Sequence, residues 1–183
     1  MRTQKQRLRR RMLEKRNSLA GTEAERLGRL AQKHLIEIPE FQSARTVGLY
    51  YPLGSEVRTD AIAQVAREQG KKVSLPRTEG NSIRFYEYTG GDELVQGRFG
   101  VMEPAPASPA GPVDLIVIPG IVFDAEGCRI GYGKGFYDRF LAERQASFSV
   151  GLAYSFQIVE RLPMGRFDRK LGALATDEAI TYF

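Results

Sequence analysis

The chain has 183 residues, with 27 Lys and Arg against 22 Asp and Glu, a formal charge of +5, one histidine and one cysteine. That length suffices for one domain with a full core, and no apolar run approaches the roughly 18 residues of a membrane helix. The lone Cys128 has no partner for a disulfide or for a zinc pattern, so a metal would have to be held by oxygen.

Residues 1–16 hold eight of the basic residues against Glu14 alone, a local +7 that leaves the other 167 residues at −2. The basicity is therefore local, which speaks against a general nucleic-acid-binding surface. The opening "MRTQKQRLRRRML" has cations with no apolar stretch behind them, so no secretory leader is expected and the cytoplasm is the expected compartment.

Leu8, Met12 and Leu13 recur near helical spacing and predict a first helix over about 1–17 with a thin apolar stripe, Lys5 and Arg9 sharing a face. A second helix is expected from Thr22, read as an N-cap completed three residues on by Glu25; Leu27, Leu30, Ala31 and Leu35 form its buried side and Pro39 marks its end. The pattern then changes to short apolar runs at 46–52, 72–76, 83–88, 114–120 and 148–154, which read as strands. Between the first two, "TDAIAQVAREQG" predicts a helix capped by Thr59 and stopped by Gly70. Strand, helix, strand implies parallel pairing with helices on both faces, an α/β fold. "PAPASPAGP" at 104–112 is read as a surface linker without a regular element, and "LIVIPGIVF" after it as a central, fully buried strand.

Ligands of open α/β sheets bind beyond the strands' carboxyl ends, where the chain reads "GCRIGYGKGFYDRF" (127–140). It fits neither standard phosphate loop. A Walker loop needs Gly and Ser or Thr where Cys128 and Gly135 stand, and a dinucleotide loop needs Gly at Phe136. The physics is nonetheless that of an anion cradle. Gly131, Gly133 and Gly135 are expected to adopt positive φ and bring amides close to a phosphate, Lys134 adds a point charge, and a helix over "FYDRFLAER" offers its positive end. Asp138 reads either as a magnesium ligand shared with the phosphates or as a first-turn acid that steadies its helix; Arg129 and Arg139 read as loop cations or as solvated charges.

With those residues in view, "VIPGIVFDAEGCRIGYGKGFYDRFL" closely resembles the signature of the 5-formyltetrahydrofolate cyclo-ligase family. The likeness extends to "KQRLR", "YYPLGSEVRT", "GRFGVMEP", "FQIVERLPMGRFD" and "LATDEAI", nearly the whole chain in order. It implies a single domain over 1–183, a three-layer α/β/α sandwich with a mainly parallel central sheet like that of sugar-phosphate isomerases and coenzyme A transferases. The first helix would pack over an ATP site. It implies an enzyme that closes 5-formyltetrahydrofolate to 5,10-methenyltetrahydrofolate with ATP and Mg²⁺, releasing ADP and phosphate.

By position, the resemblance gives ATP to Lys5, Arg9, Arg129, Ile130, Gly131, Tyr132, Gly133, Lys134, Gly135, Phe136 and Tyr137. The folate falls to Tyr51, Glu56, Tyr132, Gly133, Lys134, Gly135 and Phe136, the metal to Asp138 and Asp168, and the transferring phosphoryl to Lys134. Phe167 stands where many members carry His and Phe136 where many carry Tyr, which removes two polar groups. His34 lies outside every matched segment, and Cys128 has no neighbour to make it a nucleophile. The expected partners are small molecules, with neither nucleic acid nor membrane, and a monomer is expected. The rival readings are a divergent member acting on another formamide or pterin-like substrate, and a module gripping nucleic acid through its basic arm, which leaves Lys134, Asp138 and Glu56 unexplained.

Overall fold

The computed structural model describes residues 2–91, 93–105, 109–143 and 146–183. Met1 of the first expected helix, residues 106–108 of the Pro/Ala stretch and Arg144 of the "FYDRFLAER" helix lie outside them. The chain runs through helices α1 (Arg2–Asn17), α2 (Gly21–Glu37) and α3 (Pro39–Ser43), strand β1 (Thr46–Gly48), helix α4 (Asp60–Glu68) and strands β2 (Lys72–Glu79) and β3 (Ser82–Glu87). The hairpin β4 (Leu94–Gln96) and β5 (Met102–Pro104) follows, then β6 (Val113–Ile118), β7 (Val122–Asp124), β8 (Arg129–Ile130), α5 (Phe136–Ala142), β9 (Ala146–Leu152), β10 (Ile158–Val159), β11 (Ala173–Ala175) and β12 (Ile180–Tyr182).

Seven strands form the main sheet in the order β12-β11-β9-β6-β1-β2-β3. The inner five run parallel and the two edges antiparallel. β6 shows why the arrangement is stable: Leu115 and Val117 enter the core under α2 and α4, while Val113, Ile116 and Ile118 enter a second core with Phe85 and Phe140 of α5. A strand buried on both faces needs this continuous apolar run, so the three-layer α/β expectation holds. A third, smaller core joins Leu8, Met12 and Leu13, the stripe of α1, to Ile121, Val122, Ile130 and Leu162 around the β10-β7-β8 sheet. Among the described residues no helix is long and apolar enough to cross a membrane.

Four local expectations are corrected or refined. Helix α2 starts at Gly21 with Ala20 as its N-cap and no side-chain cap, so Thr22 lies inside the first turn and Glu25 pairs with Arg29. Thr59 is the N-cap residue of α4 as expected, but its hydroxyl does not cap the helix; it donates to Tyr50 O, and Gln32 Oε1 of α2 accepts the α4 amides of Ala61 (3.0 Å) and Ile62 (3.4 Å). "LIVIPGIVF" is two strands, because the chain leaves the main sheet at Pro119 and Gly120 and re-enters a separate one as β7. Pro104, assigned to the linker, ends β5 at a two-stranded edge that tolerates a residue without N–H, and Pro109 bridges Tyr86.

Candidate active site

Beyond the carboxyl ends of β1, β2 and β6 lies a cavity of about 600 Å³. Tyr50 and Tyr51 reach it from the end of β1, Thr78 from β2 and Pro119 from the end of β6; α1 lends Lys5 and Arg9, and the β4–β5 hairpin lends Phe99, Val101 and Glu103. Every residue that sequence reasoning picked for the site lines this one cavity: Lys5, Arg9, Tyr51, Glu56, Arg129 to Asp138 without a gap, and Asp168. A depression of about 710 Å³ at the opposite end of the sheet is a poorer candidate. Its lysines are already engaged, Lys71 by the carbonyls of Gln42 and Ala44 and Lys72 by Glu87.

The glycine-lysine loop differs in detail from expectation. Gly133 (φ 92°) and Gly135 (φ 68°) sit in the left-handed region, where a side chain would be strained, but Gly131 does not. Gly131 contributes its carbonyl instead, which accepts from Arg9 Nε at 2.7 Å and ties α1 to the loop. Lys134 is exposed, its ammonium 5.2 Å from the centre of the Phe99 ring, and Phe99 in turn packs against Phe136. The side chain of Ile130 is packed in the small core, so what it can offer a ligand is main chain.

The acids and bases are paired across roles that the sequence kept apart. Lys5 forms an ion pair with Asp168, which also accepts from the Gly165 amide at 2.7 Å. Arg129, almost fully buried, donates to Asp138 Oδ1 at 3.2 Å, and the same oxygen accepts from the amide of Arg169 at 3.1 Å. Asp138 thus meets the residue next to Asp168, and the two carboxylates stand at one end of the cavity. Among the described residues no three metal-ligating side chains converge. Two carboxylates that need ligand oxygens to complete a shell are the donor set magnesium uses when it travels with phosphates.

Glu56, which lines the same cavity, is 7% exposed. Its Oε2 accepts from the Leu53 amide at 2.9 Å, while Oε1 is buried with no partner. Burial pushes the Glu56 pKa up, against the pull of the Leu53 N–H, the Arg16 charge and Tyr132. Burial and the Glu56 charge likewise raise the phenols of Tyr50, Tyr132 and Tyr137. The one other orphaned buried side-chain atom among the described residues is Arg129 Nε, also of a cavity residue. An unpaired acceptor and an unpaired donor in one cavity call for a ligand that supplies both partners.

Comparison with known proteins gives the family of the chain. The sequence model of the 5-formyltetrahydrofolate cyclo-ligase family matches residues 1–177. The chain belongs to that family. A probable 5-formyltetrahydrofolate cyclo-ligase of Caenorhabditis elegans is 34% identical over 75% of either chain. The 5-formyltetrahydrofolate cyclo-ligase of Escherichia coli K12 is 29% identical over 91% of this chain and 97% of its own. The NMR structure of Aquifex aeolicus 5,10-methenyltetrahydrofolate synthetase superposes with a TM-score of 0.86 at 38% identity, covering 97% of this chain and 92% of its own. This cyclo-ligase family member is therefore an enzyme on an α/β sandwich, as its sequence motifs imply.

Two features lay outside sequence reasoning. The stretch "GRFGVMEP" carried a resemblance without a role; it supplies Phe99, Val101 and Glu103 to the cavity. Arg16, one basic residue among eight, proves to be buried, donating to Ser55 Oγ, Gly120 O and the Tyr132 hydroxyl. His34 Nδ1 faces Thr176 O at 2.7 Å, a carbonyl that can only accept, so Nδ1 carries the proton and the ring is a structural link. Cys128 is buried, and burial together with Asp124 raises its pKa to about 11, holding it as an inert thiol.

Proposed function

We propose that this chain converts 5-formyltetrahydrofolate and ATP to 5,10-methenyltetrahydrofolate, ADP and phosphate, with magnesium as the metal. Family membership supports the reaction class, and the polarity of the cavity carries the assignment of its parts. The cavity lining gathers one set, Lys5, Arg9, Arg129 and Lys134 with two acids, and a second, the buried and unpartnered Glu56 Oε1 with Tyr51 and the apolar groups Leu53, Ile83 and Val101. The first suits a triphosphate and the second a flat heterocycle whose N–H edge meets a carboxylate.

A formamide oxygen is a poor leaving group, and phosphorylation makes it a good one. The formyl oxygen attacks the γ-phosphorus and the bond to ADP breaks, leaving a formyl carbon activated as an imidate phosphate. The second folate nitrogen adds to that carbon, the nitrogen's proton is lost, and phosphate departs with the original formyl oxygen, closing the ring. The protein's part is positioning and charge stabilisation. Lys134, exposed beside the Phe99 ring, follows the γ-phosphoryl; Arg9 and Arg129 hold the phosphates, with α1 lying over them. Glu56 fixes the pterin edge, and Tyr51, Tyr132 and Phe136 enclose the formyl end. Asp138 and Asp168 would hold magnesium, which supplies charge neutralisation on the phosphates. Lys5 pairs with Asp168 and Arg129 with Asp138. The enzyme acts on small molecules, as a monomer in the cytoplasm on this reading.

The test is the absorbance of the methenyl product when protein meets 5-formyltetrahydrofolate with ATP, with and without magnesium. Product requiring both ATP and the metal supports the reading; ATP binding without product removes it in favour of another formamide or pterin-like substrate.

A further inference from the structure

Arg16 is 2% exposed, yet no ion pair neutralises it among the described residues. A charge so buried is expensive unless all its donors are used. Its three nitrogens take three acceptors from three parts of the chain: Nε donates to Ser55 Oγ at 3.0 Å, one terminal nitrogen to Gly120 O at 3.3 Å, and the other to the Tyr132 hydroxyl at 3.0 Å. Ser55 precedes Glu56 and is itself locked, donating to Asn17 Oδ1 at 2.6 Å. Gly120 lies at the turn where the chain leaves β6, and Tyr132 belongs to the glycine-lysine loop. Arg16 shares its helix with Lys5 and Arg9, which line the cavity.

We propose that Arg16 is a positioning residue for substrate recognition, a single planar fork that sets the Tyr132 hydroxyl and the Ser55–Glu56 segment relative to α1. The proposal rests on the folate assignment above. A lysine cannot do the same, since an ammonium has no fixed fork to span three separated acceptors. The groups facing Glu56 are Arg16 from α1, Tyr50 after β1, Tyr132 from the loop and Tyr137 from α5, so Arg16 is the one cation among them. Its second effect is to oppose the rise that burial imposes on the Glu56 pKa.

Two variants separate the fork from the charge. Arg16→Lys keeps the charge and loses the geometry, so it should weaken 5-formyltetrahydrofolate about tenfold or more and leave the acid limb of its pH profile in place. Arg16→Gln loses both, so the limb should also move to higher pH, because burial then acts on Glu56 without the opposing cation. In both, binding of MgADP should persist and Tyr132→Phe should add less than it does in the wild type. Loss of nucleotide and folate affinity in equal proportion, or an acid limb identical in Arg16→Gln and wild type, would overturn the proposal. Should the wild type fail to bind 5-formyltetrahydrofolate, the functional reading falls alone. Hydrogen exchange of the ligand-free Arg16→Lys protein then decides: faster exchange confined to residues 53–56 and 131–135 supports the positioning role, and exchange unchanged there or raised throughout the sheet refutes it.

Discussion

Replacing Glu56 with glutamine should make the protein more stable and worse at its task. The side chain is buried, and glutamine keeps its volume and its bond from the Leu53 amide while removing the charge. A buried carboxylate that accepts a ligand N–H contributes about 1.5–3 kcal/mol, so 5-formyltetrahydrofolate affinity should fall roughly 10- to 100-fold. Burial raises the folded-state pKa of Glu56 above its ordinary value of 4.5, even after the attraction to Arg16. The carboxyl's stabilising contribution is complete below that ordinary value and is lost as pH rises through the folded pKa, about 1.4 kcal/mol for each unit of upward shift. Glutamine has no proton to lose. Urea denaturation of both proteins should therefore give equal stabilities in the acid range, with the variant ahead at neutral pH, and calorimetry should give the affinity loss. A variant less stable than wild type at neutral pH, with unchanged folate affinity, would refute the reasoning.

Lys134→Ala should lower kcat by about 100-fold or more, far more than it weakens folate binding, while leaving the urea midpoint unchanged, since the side chain is exposed and lies over the Phe99 ring; single-turnover kinetics and denaturation measure the two. Asp168→Asn should raise the magnesium concentration needed for half-maximal ATP binding about tenfold, and Lys5→Met should weaken ATP without that shift; nucleotide titrations across magnesium concentrations distinguish them. Iodoacetamide should leave Cys128 unmodified in the folded protein at neutral pH and alkylate it in urea, read by mass spectrometry, because its pKa is raised to about 11.

The parts of this fold that sequence reveals are those whose pattern is long enough to repeat. The stripe of α1, the periodic α4 and the apolar run of β6 each bury a face dictated by their own residues. Strands β7, β8, β10, β11 and β12 have two or three residues each, too few to show a period, and owe their pairing to neighbours distant in sequence. Helix capping misled at Thr22, which lies one residue inside α2; Thr59 does stand at the N-cap of α4, but the group that satisfies the α4 amides is Gln32, across a tertiary contact. The cavity's residues were legible through motif and resemblance, and the geometry adds their couplings: Lys5 on Asp168, Arg129 on Asp138 and Arg9 on Gly131 O. Arg16 was hidden in a basic run, since nothing in composition tells a buried arginine from a solvated one.

The claim on which the rest depends is that the formyl oxygen is phosphorylated before the ring closes. With 5-formyltetrahydrofolate labelled by heavy oxygen in the formyl group, one turnover with MgATP should place that label in the released phosphate, one for each methenyl product formed. Methenyl product accompanied by unlabelled phosphate would contradict the account.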